Sequence, residues 1–325
     1  MTVHHFCTYF DHRYLPRGMV MLESLHAHCP QAHIHVLCLS EQCYAALGTL
    51  AYPYVSLLRL ADLEAADPQL AATKNTRSLV EYYFTITPCL PWHLLTRDDA
   101  IKEITYLDAD MMFFSSPEPI FEEAAGASVI ITPHRFSKNL KDRECYGLYN
   151  VSWLTFTKTS DGLECLNWYR DACLAWCNDK LEKDRFADQK YLNIFPQRFH
   201  RVHIMECRGG GVAPWNLADV TIEWRRSGPH INGSKIIFYH AHGFKHIFGP
   251  IFSSGLYEYK TSISSKGIYL LLKKYAQALH ITEKQKEDIL KWKKDTVIRH
   301  NDKSSTYAIA FKILQEYRKK TLIFI

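Results

Sequence analysis

The 325-residue chain has no run of 18 or more uncharged apolar residues, so no transmembrane helix is expected. Its N-terminus, Met1 to Phe6, has neither a basic region nor a long apolar stretch, and no secretory signal is read there. None of the ten cysteines forms a C-x-x-C pair, which removes the common zinc-ribbon and dithiol spacings. Cys173 and Cys177, at i and i+4, are read as buried core thiols rather than metal ligands, and reduced thiols point to the cytoplasm. Internal repeats and low-complexity segments are also absent. Net positive charge is confined to the C-terminal part, and few aromatics alternate with the basic residues there, so no nucleic-acid partner is expected.

What is present is a chain with 47% hydrophobic residues, enough for a sizeable core. Its charge is uneven. From Lys260 onward 15 Lys and Arg face 6 Asp and Glu, a net +9, against −4 for the rest. A mildly acidic body carries a basic tail.

Residues 3–10, 33–39 and 54–60 read as strands, separated by helices at 15–28 and 41–50, the second capped by Ser40. A helix over 75–90, kinked near Pro88, leads to a strand at 104–107. This alternation predicts an α/β fold with a mostly parallel, doubly wound sheet, whose ligands bind beyond the carboxyl ends of its strands. Further strands are read at 127–132, 149–157 and 235–240, with a helix at 161–176. Basic helices are read at 266–278, 282–295 and 304–320.

The segment Tyr106-Leu107-Asp108-Ala109-Asp110-Met111-Met112-Phe113-Phe114 sets two carboxylates between two apolar runs. Burying aspartates is costly unless a cation compensates them. A strand that ends in Asp-x-Asp therefore suggests a metal site at a sheet edge, of the kind that holds a divalent cation and through it a phosphate. The pattern alone is weak, since chance supplies about one Asp-x-Asp in a chain of this length.

Other residues fit the same chemistry. Thr8, Tyr9 and Asp11 close the first strand, where a ring can stack on a base and a carboxylate can accept a hydrogen bond; they read equally well as turn polars. Lys74 and Arg77, at the start of the helix before the aspartates, could meet phosphate or simply face solvent. Asn150 and Ser152 open a strand. Asp188-Gln189 fits recognition of sugar hydroxyls or a plain helix cap. In Tyr239-His240-Ala241-His242-Gly243-Phe244-Lys245 the histidines at i and i+2 project to one side, and imidazole completes Asp-rich sites for Mn2+-like ions.

The order of these motifs resembles the retaining glycosyltransferases of family 8, which have a GT-A nucleotide-diphospho-sugar transferase fold. Tyr106–Asp110 matches the family's Y-L-D-A-D, Asp188–Asn193 its D-Q-x-x-L-N, and His240–Gly243 its H-x-x-G; Tyr149–Ser152 is a looser match to F-N-S-G. His246 stands where the family has a lysine, and Lys245 precedes it. The resemblance covers about residues 1–250. It implies a mixed sheet flanked by helices, with a GT-A catalytic domain over 1–255 and a basic helical extension over 256–325. It further implies a metal-dependent hexosyltransferase that moves a sugar from a UDP-sugar to a glycan or lipid-linked acceptor, in surface polysaccharide or lipopolysaccharide synthesis. Asp108, Asp110 and His240 would hold Mn2+ or Mg2+. Thr8, Tyr9 and Asp11 would meet the nucleoside; Arg77, Asn150, Gly243 and Lys245 the rest of the donor; Asp188 and Gln189 the transferred sugar.

Two other classes compete. A haloacid-dehalogenase-like phosphatase also uses Asp-x-Asp, but it requires Thr or Val where this chain has Met112. A non-catalytic sugar-nucleotide-binding protein would not need both aspartates, His240 and the Asp188-Gln189 pair. The tail can lie on an anionic membrane surface, as a peripheral protein on the inner face, or pack on the catalytic domain with its basic face in solvent.

Overall fold

A computed structural model of the chain describes residues 3–289 and 303–325, and for 303–307 the backbone only. The first half alternates as the pattern predicts: β1 (His4–Phe10), α1 (Leu15–His28), β2 (Ala32–Cys38), α2 (Glu41–Leu50) and β3 (Val55–Arg59). Two short helices, α3 (Leu60–Ala66) and α4 (Pro68–Thr73), precede α5 (Leu79–Arg97) and β4 (Glu103–Leu107). Next come β5 (Met111–Phe113), α6 (Glu118–Glu123), β6 (Val129–Pro133), β7 (Tyr149–Thr157), α7 (Ser160–Ala175), α8 (Phe195–Arg198) and β8 (Val202–Ile204).

The main sheet has the order β3-β2-β1-β4-β7-β6-β8. Strands β3, β2, β1, β4, β6 and β8 run in one direction and β7, between β4 and β6, is antiparallel to both, so the sheet is mostly parallel, as expected, and mixed through this one strand. Alternate residues serve opposite faces. Phe6 and Phe10 of β1 join the core under α1 and α2, while Cys7 joins the core under α5 and α7. Cys173, at the end of α7, and Cys177, beyond it, lie in that second core.

Helix α5 differs from the expected 75–90 at both ends. Ser78 accepts from Glu81 N (3.3 Å) while Glu81 accepts from Ser78 N (2.8 Å), a capping box that fixes the start. The helix then continues through Pro88 and Pro91, both buried. Each proline gives up one backbone hydrogen bond; burial of Ile86, Cys89, Leu90 and Leu95 against the sheet offsets that loss.

The last third builds small sheets against the large one. Strands β9 (Ile222–Arg225), β10 (Gly228–Ile231) and β11 (Ser234–Lys235) form a meander, and β12 (Phe238–His240) pairs with β5. The segment expected as one strand at 235–240 is thus split in two. Strands β13 (Lys245–Phe248) and β14 (Ile251–Ser253) form a hairpin, followed by helices α9 (Lys266–Ile289) and α10 (Lys303–Arg318) and by β15 (Leu322–Phe324). The expected break between 278 and 282 does not occur, because Leu279 and Thr282 are buried along one face of a continuous helix. The remainder of the helix expected to 295 lies outside the described residues. The apolar end is not a free tail: β15 pairs with β14 and buries Leu322 and Ile323. A third core joins Val20 of α1, Phe244, Phe252, the apolar face of α9 and Ile323, on both sides of the 255/256 boundary.

One buried ion pair ties the helical layer together. Arg170 of α7 donates to both oxygens of Asp67 (2.8 and 3.1 Å), which also caps α4 by accepting from Leu70 N (3.1 Å). Replacing Asp67 by Ala leaves a guanidinium that is about one-tenth exposed with only Gln69 and the exposed Asp171 as partners. We expect Asp67→Ala to cost about 3–5 kcal/mol of unfolding free energy, read from urea denaturation.

Candidate functional site

Strand β4 ends at Leu107 and delivers Asp108 to the carboxyl edge of the sheet, where Asp108 N donates to Ser152 O of β7 (3.2 Å). The chain turns at once into β5. The antiparallel register of β12 on β5 sets His240 opposite Met111, and Ala241 N donates to Asp110 O (2.8 Å). Backbone pairing therefore carries His240 to the two aspartates, 130 residues away from Asp110 in sequence.

The side chains converge. His240 Nε2 lies 3.0 Å from Asp110 Oδ1 and 3.6 Å from Asp108 Oδ2, and the three donor groups all fall within 4.8 Å of one another. Tyr106 OH donates to Asp108 Oδ1 (2.9 Å) and Tyr14 OH to Asp110 Oδ2 (3.4 Å). Burial disfavours charge on every member of the cluster. The imidazole nevertheless holds the Asp110 carboxyl well below its usual range, and the two carboxylates raise the pKa of His240. Asp108 is left with its carboxyl pushed up by burial and by Asp110, despite His240. Two oxygen donors and one nitrogen donor suit Mn2+ or Mg2+, whose charge would relieve the repulsion between the carboxylates.

Beside this cluster opens a cavity of about 520 Å3. Asp108, Asn150, Asp188, Gln189, His240 and Tyr9 line it, so the structure brings these sequence-selected residues together. Asn150 is engaged internally: it accepts from Ser152 N (3.1 Å) and Ser152 Oγ. Gln189 Nε2 donates to Tyr146 O (3.2 Å). Asp188 is buried, its Oδ2 lacks a hydrogen-bond partner, and burial aided by the Asp108 charge lifts its pKa to about 7.

The other selected residues lie elsewhere. Thr8 is fully buried in β1, with Oγ1 unpartnered. Asp11 sits just past β1 and accepts from Arg13 N and Tyr14 N. Arg77 is not brought to the cavity; its guanidinium donates to Thr85 Oγ1 and to Leu174 O. Gly243 has φ +77°, and a side chain on Gly255, which faces it, would meet Gly243 O at 2.6 Å, so two loop backbones touch there. Lys245 is exposed on β13, paired with Ser253.

Sequence reading missed the aromatic wall. Phe136, Tyr146, Trp215 and Tyr259 line the cavity with His134 and Arg143. Trp215 packs edge-on against His240 (5.2 Å between centroids), and Tyr259 OH bonds His242 Nδ1 (2.5 Å). These residues come from separate loops and share no spacing, so no periodic signal marks them. Flat aromatic faces and a cation suit a sugar carrying an anionic group.

The Asp188 shift has a sign that can be checked. An acid whose pKa rises on folding takes up a proton as the chain folds, so its contribution to stability is full below the ordinary value of 3.8 and is lost as pH rises toward 7. Asp188→Asn lacks this loss. In metal-free protein its stability should rise relative to the parent between about pH 4 and pH 8, by roughly 2–4 kcal/mol, read from denaturation at each pH. A difference that does not change with pH would contradict the assignment.

Comparison with known proteins follows the same fold. No family model matches the chain. It is 30% identical over 249 residues to the uncharacterized protein YfnD of Bacillus subtilis (strain 168), covering 75% of this chain and 79% of YfnD. It is 28% identical over 248 residues to the uncharacterized YfnF of the same organism, covering 74% and 81%. Among solved structures, the galactosyltransferase LgtC, crystallised with donor and acceptor sugar analogs, superposes with a TM-score of 0.51 over 85% of this chain and 95% of LgtC, at 13% identity. The chain belongs to one family with YfnD and has the GT-A fold that LgtC also has.

Proposed function

We propose that the protein is a retaining glycosyltransferase that moves a hexose from a UDP-sugar to the hydroxyl of a glycan or lipid-linked acceptor, with Mn2+ or Mg2+ at Asp108, Asp110 and His240. The observation that carries this reading is the meeting of that cluster with Asp188 and Gln189 at one cavity. Its placement beyond the carboxyl ends of β1 and β4 agrees with the ligand position usual for α/β sheets. When bound, the metal supplies positive charge to the diphosphate as the sugar–phosphate bond breaks.

The chain's own groups do the rest. The acceptor oxygen bonds to the anomeric carbon, the bond from that carbon to the diphosphate breaks, and the acceptor proton leaves to a diphosphate oxygen. The Asp188 carboxyl, poised near neutrality, exchanges hydrogen bonds with sugar hydroxyls, and the Gln189 amide lies beside the transferred sugar. Asp188, the acid that adjoins Gln189, is given to the sugar hydroxyls rather than to nucleophilic attack, which leaves attack from the same face as departure. Thr8, Tyr9 and Asp11 serve the nucleoside, and Gly243 and Lys245 the diphosphate. The aromatic wall stacks on the apolar faces of the sugars.

The tail supports a second element of the reading, peripheral contact with an anionic membrane carrying a lipid-linked acceptor. No helix among the described residues is long and apolar enough to cross a membrane. On α10, however, Phe311, Leu314 and Tyr317 are exposed, on the side opposite half-buried Ile309, Ile313 and Glu316. Glu316 anchors the helix by accepting from Ser253 Oγ (2.5 Å) and Thr321 Oγ1 (2.7 Å). Lys312 and Arg318 of the same helix, and Lys320 just beyond it, are exposed as well.

Two tests follow. Asp110→Asn should reduce transfer by at least roughly a hundredfold and remove metal-dependent UDP binding in a thermal-shift assay; turnover and binding equal to the parent's would refute the metal assignment. The same assay with Mn2+ and UDP-glucose, UDP-galactose and their N-acetyl forms identifies the sugar. Substituting Phe311, Leu314 and Tyr317 together by Ser should abolish co-sedimentation with anionic liposomes while leaving β15 in its sheet. Sedimentation of both proteins alike, or of neither, would remove the membrane from the reading.

A further inference from the structure

A second set of donor atoms meets where α9 crosses the β13–β14 hairpin. His246 lies on β13, and His280 and Glu283, three residues apart, share one side of α9. Their donor atoms all fall within 4.8 Å of one another. None of these side chains is used in the proposed transfer.

The hydrogen bonding of His246 makes this more than proximity. Its Nε2 lies 2.8 Å from Gly249 O, an atom that can only accept, so Nε2 carries a proton and donates it. In the neutral ring, Nδ1 then presents a lone pair. That lone pair faces Glu283 Oε2 at 2.9 Å. The carboxylate oxygen is shielded from solvent and makes no hydrogen bond of acceptable geometry. Two lone pairs at this separation need a cation between them. A proton on His246 would serve that pair and leave His280 without a role. A metal ion would engage all three.

We propose that His246, His280 and Glu283 form a second metal site, for Zn2+ or a similar transition ion. Two imidazoles and one carboxylate with an open fourth position are a characteristic zinc donor set, whereas Mg2+ and Ca2+ prefer oxygen. The Gly249 carbonyl on the far nitrogen of His246 orients the ring as outer partners of metal-bound histidines do. The three side chains line a cavity of about 630 Å3 together with Arg13, Arg17, Lys284, Lys286 and Glu287. So many cations would weaken metal binding on their own, and they select an anion or hydroxide as the fourth ligand. The bound ion would pin α9 to the hairpin that follows His242. Arg17, which donates to Phe244 O (2.9 Å), stands between this site and the Asp110 cluster.

Calorimetric titration of the full chain with Zn2+, without nucleotide, tests this. An Asp110→Asn background weakens the first cluster, so that the second is read by itself. About one Zn2+ per chain should bind there. Adding either His280→Ala, at a partly exposed position, or the isosteric Glu283→Gln should weaken that binding by roughly tenfold or more. Circular dichroism of each variant verifies folding, and two chemically different substitutions keep the result independent of either one. Absence of Zn2+ binding in the Asp110→Asn protein overturns the proposal. So does binding that neither substitution changes, which would leave His246 and Glu283 as a proton-bridged pair.

Discussion

Two carboxylates at the end of one strand impose the constraint around which this molecule is arranged. Asp110 is buried and Asp108 nearly so, 3.0 and 3.6 Å from one imidazole. Neither can remain charged in that environment without positive charge beside it. The fold meets the requirement with backbone geometry. The β5–β12 ladder sets His240 in register, and the Ala241-to-Asp110 bond locks the turn that follows. Each of these contacts joins parts of the chain more than a hundred residues apart, so the site exists only once the last third has folded onto the first.

That dependence explains the build of the C-terminal part. Strand β15 completes a sheet with β13 and β14, and α9 lies against α1 and supplies Ile268, Leu271, Leu272, Tyr275, Ala276 and Leu279 to the third core. These elements back the loop that carries His240, His242 and Gly243. Lys266, Lys274, Lys284, Lys312, Arg318 and Lys320 are exposed on this packed layer, which reconciles a buried apolar end with a cationic surface. The same layer brings His280 and Glu283 to His246, so a metal there would stiffen the support of the first cluster rather than take part in its chemistry.

The cavity beside the aspartates combines two kinds of recognition. Asp188 and Gln189 stand on a short turn reached through Ala187, whose φ of +46° aims the following carboxylate inward. Opposite stand aromatic rings from loops that have no regular structure in common. Polar groups fix orientation and flat rings supply contact area, the usual composition of a sugar site. Tyr146, Trp215 and Tyr259 of the wall sit in short 3-10 helical segments, while the metal-ligand candidates sit at strand ends, where ladder pairing holds their positions.

The succession of β1, α1, β2, α2, β3, α5 and β4, the aspartate pair and the histidine pair were legible in the amino-acid sequence, because each rests on local periodicity or on residues a few positions apart; the short helices α3 and α4 were not. Ser40 and the start of α2 are examples, where one cap residue and one turn decide the matter. What the tertiary structure alone decided involves contacts across long separations. Helix α5 passes through Pro88 and Pro91 because burial outweighs two lost hydrogen bonds. Arg77 turns to Thr85 and Leu174, and the apolar end becomes a buried strand. Trp215 and Tyr259 reach the site from loops with no pattern of their own. Local sequence fixes which groups are present and which elements they ride on; only packing, through register and burial, fixes which of them meet.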